Sequence, residues 1–276
     1  MFNTVIVPVD GSAESARSLG PAGALAHYLN VDMRVIAYHA PADDGFELAE
    51  LVRHQLSAAG DTPRTVDVLP MDGPVGELLA KILAGEPNPL VVMTTRGHGR
   101  SAAVLGSVAT DILAARLGPL LLIGPNCEPG RFRLHGPMVV PIDVDVPNPA
   151  TLDIVTQLIE TFDFTPQVVQ VVDPDTSTQV NSMRKGPAGS DLPPESAMVQ
   201  QVARNIDHDA DFVVLHSDHP GDAIADQAGA VRASVVAMAT HARTGLERLR
   251  LGSVTAQVVT HAGCPVLAIP PAVDPA

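Results

Sequence analysis

The chain contains the same unit twice. Gly106-Ser107-Val108 returns as Gly252-Ser253-Val254, and from those glycines onward the two copies align without a gap. Pro119 falls on Pro265, Leu121 on Leu267 and Ile123 on Ile269. Ahead of each Gly-Ser-Val step lies an apolar run, at 90–95 and 234–238, followed by a turn of small and polar residues. Each copy also has an early β-branched run ending in a carboxylate, Pro8-Val9-Asp10 in one and Pro141-Ile142-Asp143 in the other. A repeat on this scale fixes the architecture as two related domains in tandem. A chain of 276 residues has room for two cores of ordinary size.

The repeated order is strand, loop, helix, strand. A helix N-terminus leaves its first backbone N–H groups without intrahelical partners and carries a partial positive charge. Glycine ahead of it lets a bulky anion approach the backbone closely. Ser107 can cap the helix or donate its hydroxyl to a phosphate. The stretch 97–108 therefore reads as a place to hold phosphate.

Periodicity fills in the remainder. Short apolar or alternating runs at 4–9, 32–39, 65–70, 90–95 and 120–123 predict five strands in the first copy. Helical spacing at 13–29, 46–59, 75–83 and 108–117 separates them, with Ser12 as the expected cap of the first helix. In the second copy the strands fall at 138–142, 167–173, 211–216, 234–238 and 266–269. Its helices fall at 150–162, 196–206, 220–228 and from 254. Strands alternating with helices imply a parallel sheet covered on both faces. Residues 127–136 read as a linker, 174–194 as a surface loop and 270–276 as a frayed, proline-rich end.

Charge narrows the function. The net charge is −14, so clustered Lys and Arg for a nucleic acid or an anionic membrane are not expected. A nucleotide site survives this, because backbone N–H groups can cradle phosphate. Cys127 and Cys264 have no metal-type spacing and cannot build a disulfide framework. They read as an incidental linker thiol and a buried thiol. The N-terminal residues lack the basic-then-apolar order of a signal peptide, and no apolar run reaches spanning length. The expected setting is a reducing cytoplasm.

The strand ending Val7-Pro8-Val9-Asp10-Gly11-Ser12, with His98-Gly99-Arg100-Ser101 and then Gly106-Ser107-Val108 near the end of a domain of this length, resembles the universal stress protein family in its tandem form. The resemblance covers 1–126 and 137–271, joined by 127–136, with a tail at 272–276. It implies an α/β fold with a five-stranded parallel sheet in each domain, Rossmann-like and akin to the adenine nucleotide alpha hydrolases. It also implies ATP binding or sensing, with Mg2+, in a stress response, regulatory rather than catalytic. The residues it points to are Pro8, Val9, Asp10, Gly97, Gly99, Gly106, Ser107 and Val108 in the first copy. In the second they are Pro141, Ile142, Asp143, Thr240, Ala242, Gly252, Ser253 and Val254.

The family's phosphate motif is Gly-x2-Gly-x9-Gly-Ser/Thr. Matched to it, Arg96 stands at the first glycine and Gly99 at the second, leaving six residues before Gly106 instead of nine. A loop three residues short loses about ten ångströms of contour. In the second copy the spacing holds, but Ala239 and Ala242 replace both glycines. A methyl group there costs on the order of 1 kcal/mol where φ must be positive. These departures support a second reading, a member without nucleotide that serves as an interaction scaffold.

Plainer readings stand beside each residue. Asp10 and Asp143 also suit strand ends that cap the next helix. Gly106-Ser107 and Gly252-Ser253 also suit ordinary helix starts. His98 and His241 are loop histidines without ligand spacing, and Gly97-x-Gly99-x-x-Ala102 follows the wrong strand for a dinucleotide fingerprint. No nucleophile elbow, Walker lysine or zinc signature occurs, so no enzyme is expected beyond weak ATP hydrolysis. The final strands, 120–123 and 266–269, would be sheet edges in need of cover. The resemblance implies that they pair between domains, within a chain or in a homodimer.

Overall fold

The computed structural model describes residues 2–60, 65–95, 106–128, 132–143, 149–174, 193–207, 209–240 and 252–270. Its strands are β1 (Thr4–Val9), β2 (Asp32–His39), β3 (Thr65–Pro70), β4 (Pro89–Thr94) and β5 (Leu120–Ile123) in the first half. The second half supplies β6 (His135–Pro141), β7 (Asp163–Val172), β8 (Asp211–His216), β9 (Val235–Ala239) and β10 (Val266–Ile269). The helices of the first half are α1 (Ala13–Ala16), α2 (Leu19–Leu29), α3 (Phe46–Ala59), α4 (Val75–Ala84) and α5 (Ser107–Ala115). Those of the second are α6 (Pro149–Thr161), α7 (Pro194–Ile206), α8 (Pro220–Ala230) and α9 (Ser253–His261). Among the described residues no helix is long and apolar enough to cross a membrane.

The strands form one sheet in the order β3-β2-β1-β4-β5-β10-β9-β6-β7-β8. All neighbours are parallel except β5 and β10, which run antiparallel and join the halves. The expected pairing of the final strands is thus made within one chain. With β4 and β10 on either side of β5, and β5 and β9 on either side of β10, these strands have no open edge for a second chain.

Strand alternation decides which helices cover which face. Val5, Val7 and Val9 point into a core shared with Leu19 and Leu25 of α2, Val52 and Leu56 of α3, Val155 of α6 and Val199 of α7. Ile6 points the other way, into a core with Leu79 and Leu83 of α4, Ile112 of α5, Ile224 of α8 and Val258 of α9. Strands buried on both faces read as continuous apolar runs, as β5 and β10 do. Each such side chain contributes roughly 1.5–3 kcal/mol on full burial.

Two expectations need correction. The run 13–29 is two helices, because the chain breaks at Arg17 and Ser18. Ser12 caps α1 through the Ser15 amide at 3.0 Å, and the Arg17 and Ser18 amides bond back only three residues, to Glu14 and Ser15. Arg17 donates to the carbonyls of Gly124, at 3.2 Å, and Cys127, fastening this break to the end of the first half. Cys127 is also not an incidental thiol, since it is as buried as Cys264.

Candidate functional site

The sheet order places the site. From β1 the chain winds outward to β2 and β3, then returns past β1 to lay down β4 and β5. The helix that packs behind β1, α2, covers one face, and α5, which follows β4, covers the other. Parallel sheets open a crevice at the carboxyl ends of two such strands. Here the crevice is visible in the register: β1 and β4 pair only from Thr4–Pro89 to Ile6–Val91, although the strands continue to Val9 and Thr94. The second half repeats this, since β6 and β9 pair at Met138–Val235 and Val139–Val236 and then run on to Pro141 and Ala239. Because the halves join antiparallel, the two crevices open on opposite edges of the sheet. Asp10 and Asp143 therefore never share a site.

Asp10 follows β1 and is exposed. Its Oδ1 accepts the Ser12 amide at 3.0 Å and the Ser12 hydroxyl at 2.6 Å. Ser12 Oγ in turn accepts the Ser15 amide, and the Asp10 amide donates to Ser15 Oγ at 3.3 Å. The plain reading of Asp10 is thus met in part, with Ser12 as the cap and Asp10 bracing it. Between them Gly11 has φ +79, and a Cβ there would stand 2.9 Å from Leu48 Cδ1 and 3.1 Å from Leu51 Cδ2. The positive φ favours glycine here, while the two leucine tips could shift.

Gln55 of α3 joins the turn, and sequence reasoning missed it. Its Nε2 donates to the Gly11 carbonyl at 2.8 Å. Its Oε1 is buried and has no hydrogen-bond partner among the described residues. Only its place on the face of α3 that meets Gly11 marks it in the sequence, and no motif carries it.

The Gly-Ser steps stand at the far wall of each crevice. The N-caps are Gly106, at φ −67 and ψ 155, and Gly252, at φ −56 and ψ 152. Ser107 and Ser253 are the first helical residues, exposed, and neither caps its helix. The Gly106 amide is taken by the Thr95 carbonyl at 3.0 Å. The Ser107 and Val108 amides have no protein partner among the described residues, as expected for a first turn. Val108 and Val254 are half-buried against the core and fix the helix starts in place. Neither glycine is demanded by the fold. A Cβ at 106 would come no nearer than 3.4 Å to Thr95 O, and at 252 it would meet nothing within 4 Å. Both backbones are ordinary for any residue, so nothing among the described residues requires glycine at either position.

The strand ends also correct the motif count. Thr95 donates its amide to Ile123 O at 3.3 Å, and Thr240 donates to Ile269 O at 2.8 Å. The two threonines therefore occupy the same place. In sequence, Gly97 follows Thr95 at the distance at which Ala242 follows Thr240, and Thr94 precedes Thr95 as Ala239 precedes Thr240. The loops run 96–105 and 241–251, so the first is one residue shorter than the second, not three. Residues Arg96, Gly97, His98, Gly99, His241 and Ala242 lie outside the described residues. Pro8 and Val9 end β1, Pro141 ends β6 with Ile142 next to it, and the Ile142 amide donates to Val169 O at 2.9 Å.

The universal stress protein family model matches residues 1–123 and 136–270. The chain is similar to the Thermus aquaticus protein described as "Universal stress protein in QAH/OAS sulfhydrylase 3'region", at 30% identity over 137 residues, 45% of this chain and 99% of that protein. Among solved structures it resembles a universal stress protein from Archaeoglobus fulgidus at 16% identity and a TM-score of 0.60, covering 97% of this chain and 98% of that one. It also resembles the cytoplasmic domain of a prokaryotic cation chloride cotransporter at 11% identity and a TM-score of 0.52, covering 97% and 94%. At these identities the structural likenesses concern the fold alone.

Proposed function

The chain belongs to the universal stress protein family, and from that premise we propose that its first half binds an adenine nucleotide, ATP with Mg2+, as a cytoplasmic stress regulator. Binding acts by shifting conformation or partner choice and not by driving turnover. The observation that carries this is the first crevice itself. The Asp10–Ser12 turn and the Gln55 amide lie on one side, and the helix start at Gly106, where a Cβ would meet no described atom closer than 3.4 Å, lies on the other. A carboxylate and an amide oxygen suit ribose hydroxyls or an adenine edge, and unpaired first-turn amides suit phosphate.

The second half keeps the same backbone plan but has Ala242 level with Gly97. We assign it as the weaker or silent copy, and to that half the scaffold reading applies. Calorimetric titration of the full chain with ATP tests the assignment. One saturable site per chain is the expected result, and no binding at millimolar ATP rejects it.

A further inference from the structure

The second crevice edge is not the only concave surface. A groove of about 640 Å³ lies where β9 and β10 begin, on the same long edge of the sheet as Asp10. Its walls are the end of α8, the turn between α9 and β10, and the segment that leads into β6. Arg133, Arg232 and Phe132 line it, as does Glu128 of the connecting segment, with Gly263 and Cys264 at the turn.

The repeat supplies its own control. In the first half, the connector from α4 to β4 has one charged residue, Glu86, which pairs with Arg34 of β2 at 2.9 Å, and Arg34 also pairs with Asp67. In the second half, register puts Gln167 in the place of Arg34. Gln167, itself uncharged, accepts from Gln227 at 2.7 Å and donates to the Asp211 carboxylate at 2.9 Å. The matching connector, from α8 to β9, has Arg232 as its one charged residue, level with Pro87, while Val231 takes the place of Glu86. Among the described residues neither Arg232 nor Arg133 has an ion pair or a side-chain hydrogen bond, in a chain of net charge −14. Glu128 already has an interaction of its own.

Shape differs between the copies in the same direction. Leu117 of the first copy corresponds to Gly263 in the second, and a Cβ on Gly263 would meet nothing within 4 Å. Arg232 is held at φ +53, an unfavourable setting for a side-chain residue. The turn is closed by its own amide to Gly229 O at 3.1 Å and by the Ala233 amide to Ala228 O at 2.8 Å. The second copy thus has Arg232 beside the place of the paired Glu86, Ala262 in place of Arg116, and less bulk at Gly263 than the first copy has at Leu117.

We infer that this groove is a second ligand site, for a small organic dianion of the phosphate monoester class. Two guanidinium forks match a doubly charged oxyanion, and half-buried Phe132, packed on the core, offers its ring to the apolar body. The volume falls within the roughly 300–1,000 Å³ that small-molecule sites span.

Titration of the full chain with phenyl phosphate, followed by calorimetry, tests the site. The expected result is one saturable site that competes poorly with benzoate, which carries one charge. Arg232→Glu, which reverses the charge, weakens it by at least about tenfold, and Arg133→Gln weakens it in the same direction. Gly263→Leu, restoring the first copy's leucine in open space, abolishes it. Gly106→Glu, in the other crevice, leaves it unchanged, which separates this site from the nucleotide site. Thermal unfolding midpoints close to that of the parent establish that each variant is folded. Absence of saturable binding at millimolar phenyl phosphate overturns the proposal, as does binding that persists in folded Gly263→Leu or is lost in Gly106→Glu.

Discussion

Leu121 lies directly opposite Leu267 across the β5–β10 seam, and each is the other's counterpart in the repeat. A local twofold axis therefore passes between them. The flanking pairs obey it, since Leu122 meets Val266 and Leu120 meets Ala268. The halves are joined as the subunits of a symmetric dimer are, through one patch used twice.

Both leucines are almost fully buried. Leu121→Ala and Leu267→Ala are each expected to lower stability by about 2–5 kcal/mol. They share one cavity, so the double variant is expected to cost less than the sum. Urea unfolding of the four proteins measures this, and strict additivity would place the two side chains out of contact.

Gly124, just beyond β5, packs closely against the second half. A Cβ there would stand 2.0 Å from the Val259 carbonyl of α9. Backbone cannot move aside as a side chain tip does, so Gly124→Ala is expected to cost about 1–3 kcal/mol or more. Gly20 in α2 is the control, with nothing within 4 Å of its Cβ position. Gly20→Ala is expected to stabilise by about 0.5–1 kcal/mol. Opposite signs in one denaturation series test the packing at the seam.

The two thiols give a pH dependence. Burial pushes Cys127 from 9.0 up to about 11, with Arg17 opposing and Glu128 adding to the rise. Burial pushes Cys264 up to about 12, and the neighbouring Cys127 adds to it. The folded chain thus keeps protons that the unfolded chain loses above about pH 9. This contribution is fully present below pH 9 and is lost as pH rises toward 11 and 12. Unfolding midpoints taken across that range are expected to fall more steeply for the parent than for Cys127→Ala/Cys264→Ala. Equal slopes would contradict the assignment.

Much of this was legible in the sequence, and the reasons are local. Alternating runs and the two carboxylate-tipped strands fixed where each half begins, and the Gly-Ser-Val repeat fixed the helix starts. What escaped was decided at long range. The break at Arg17 depends on carbonyls 107 and 110 positions away. The start of β7 at Asp163, ahead of the expected 167, depends on pairing with His135. Where the strands end before the two loops is not marked by the glycine spacing, and the Thr95 and Thr240 bonds show it. Gln55 was invisible because its partner, Gly11, is 44 residues back.

The most direct test of nucleotide binding compares equilibrium dialysis of ATP against two single variants, Gly106→Glu and Gly252→Glu. Glutamate at either N-cap fits the backbone and sets a negative side chain in the space before the helix. The expected result is that Gly106→Glu abolishes ATP binding while Gly252→Glu leaves it within about twofold of the parent. Undiminished binding in folded Gly106→Glu would contradict the first crevice as the site.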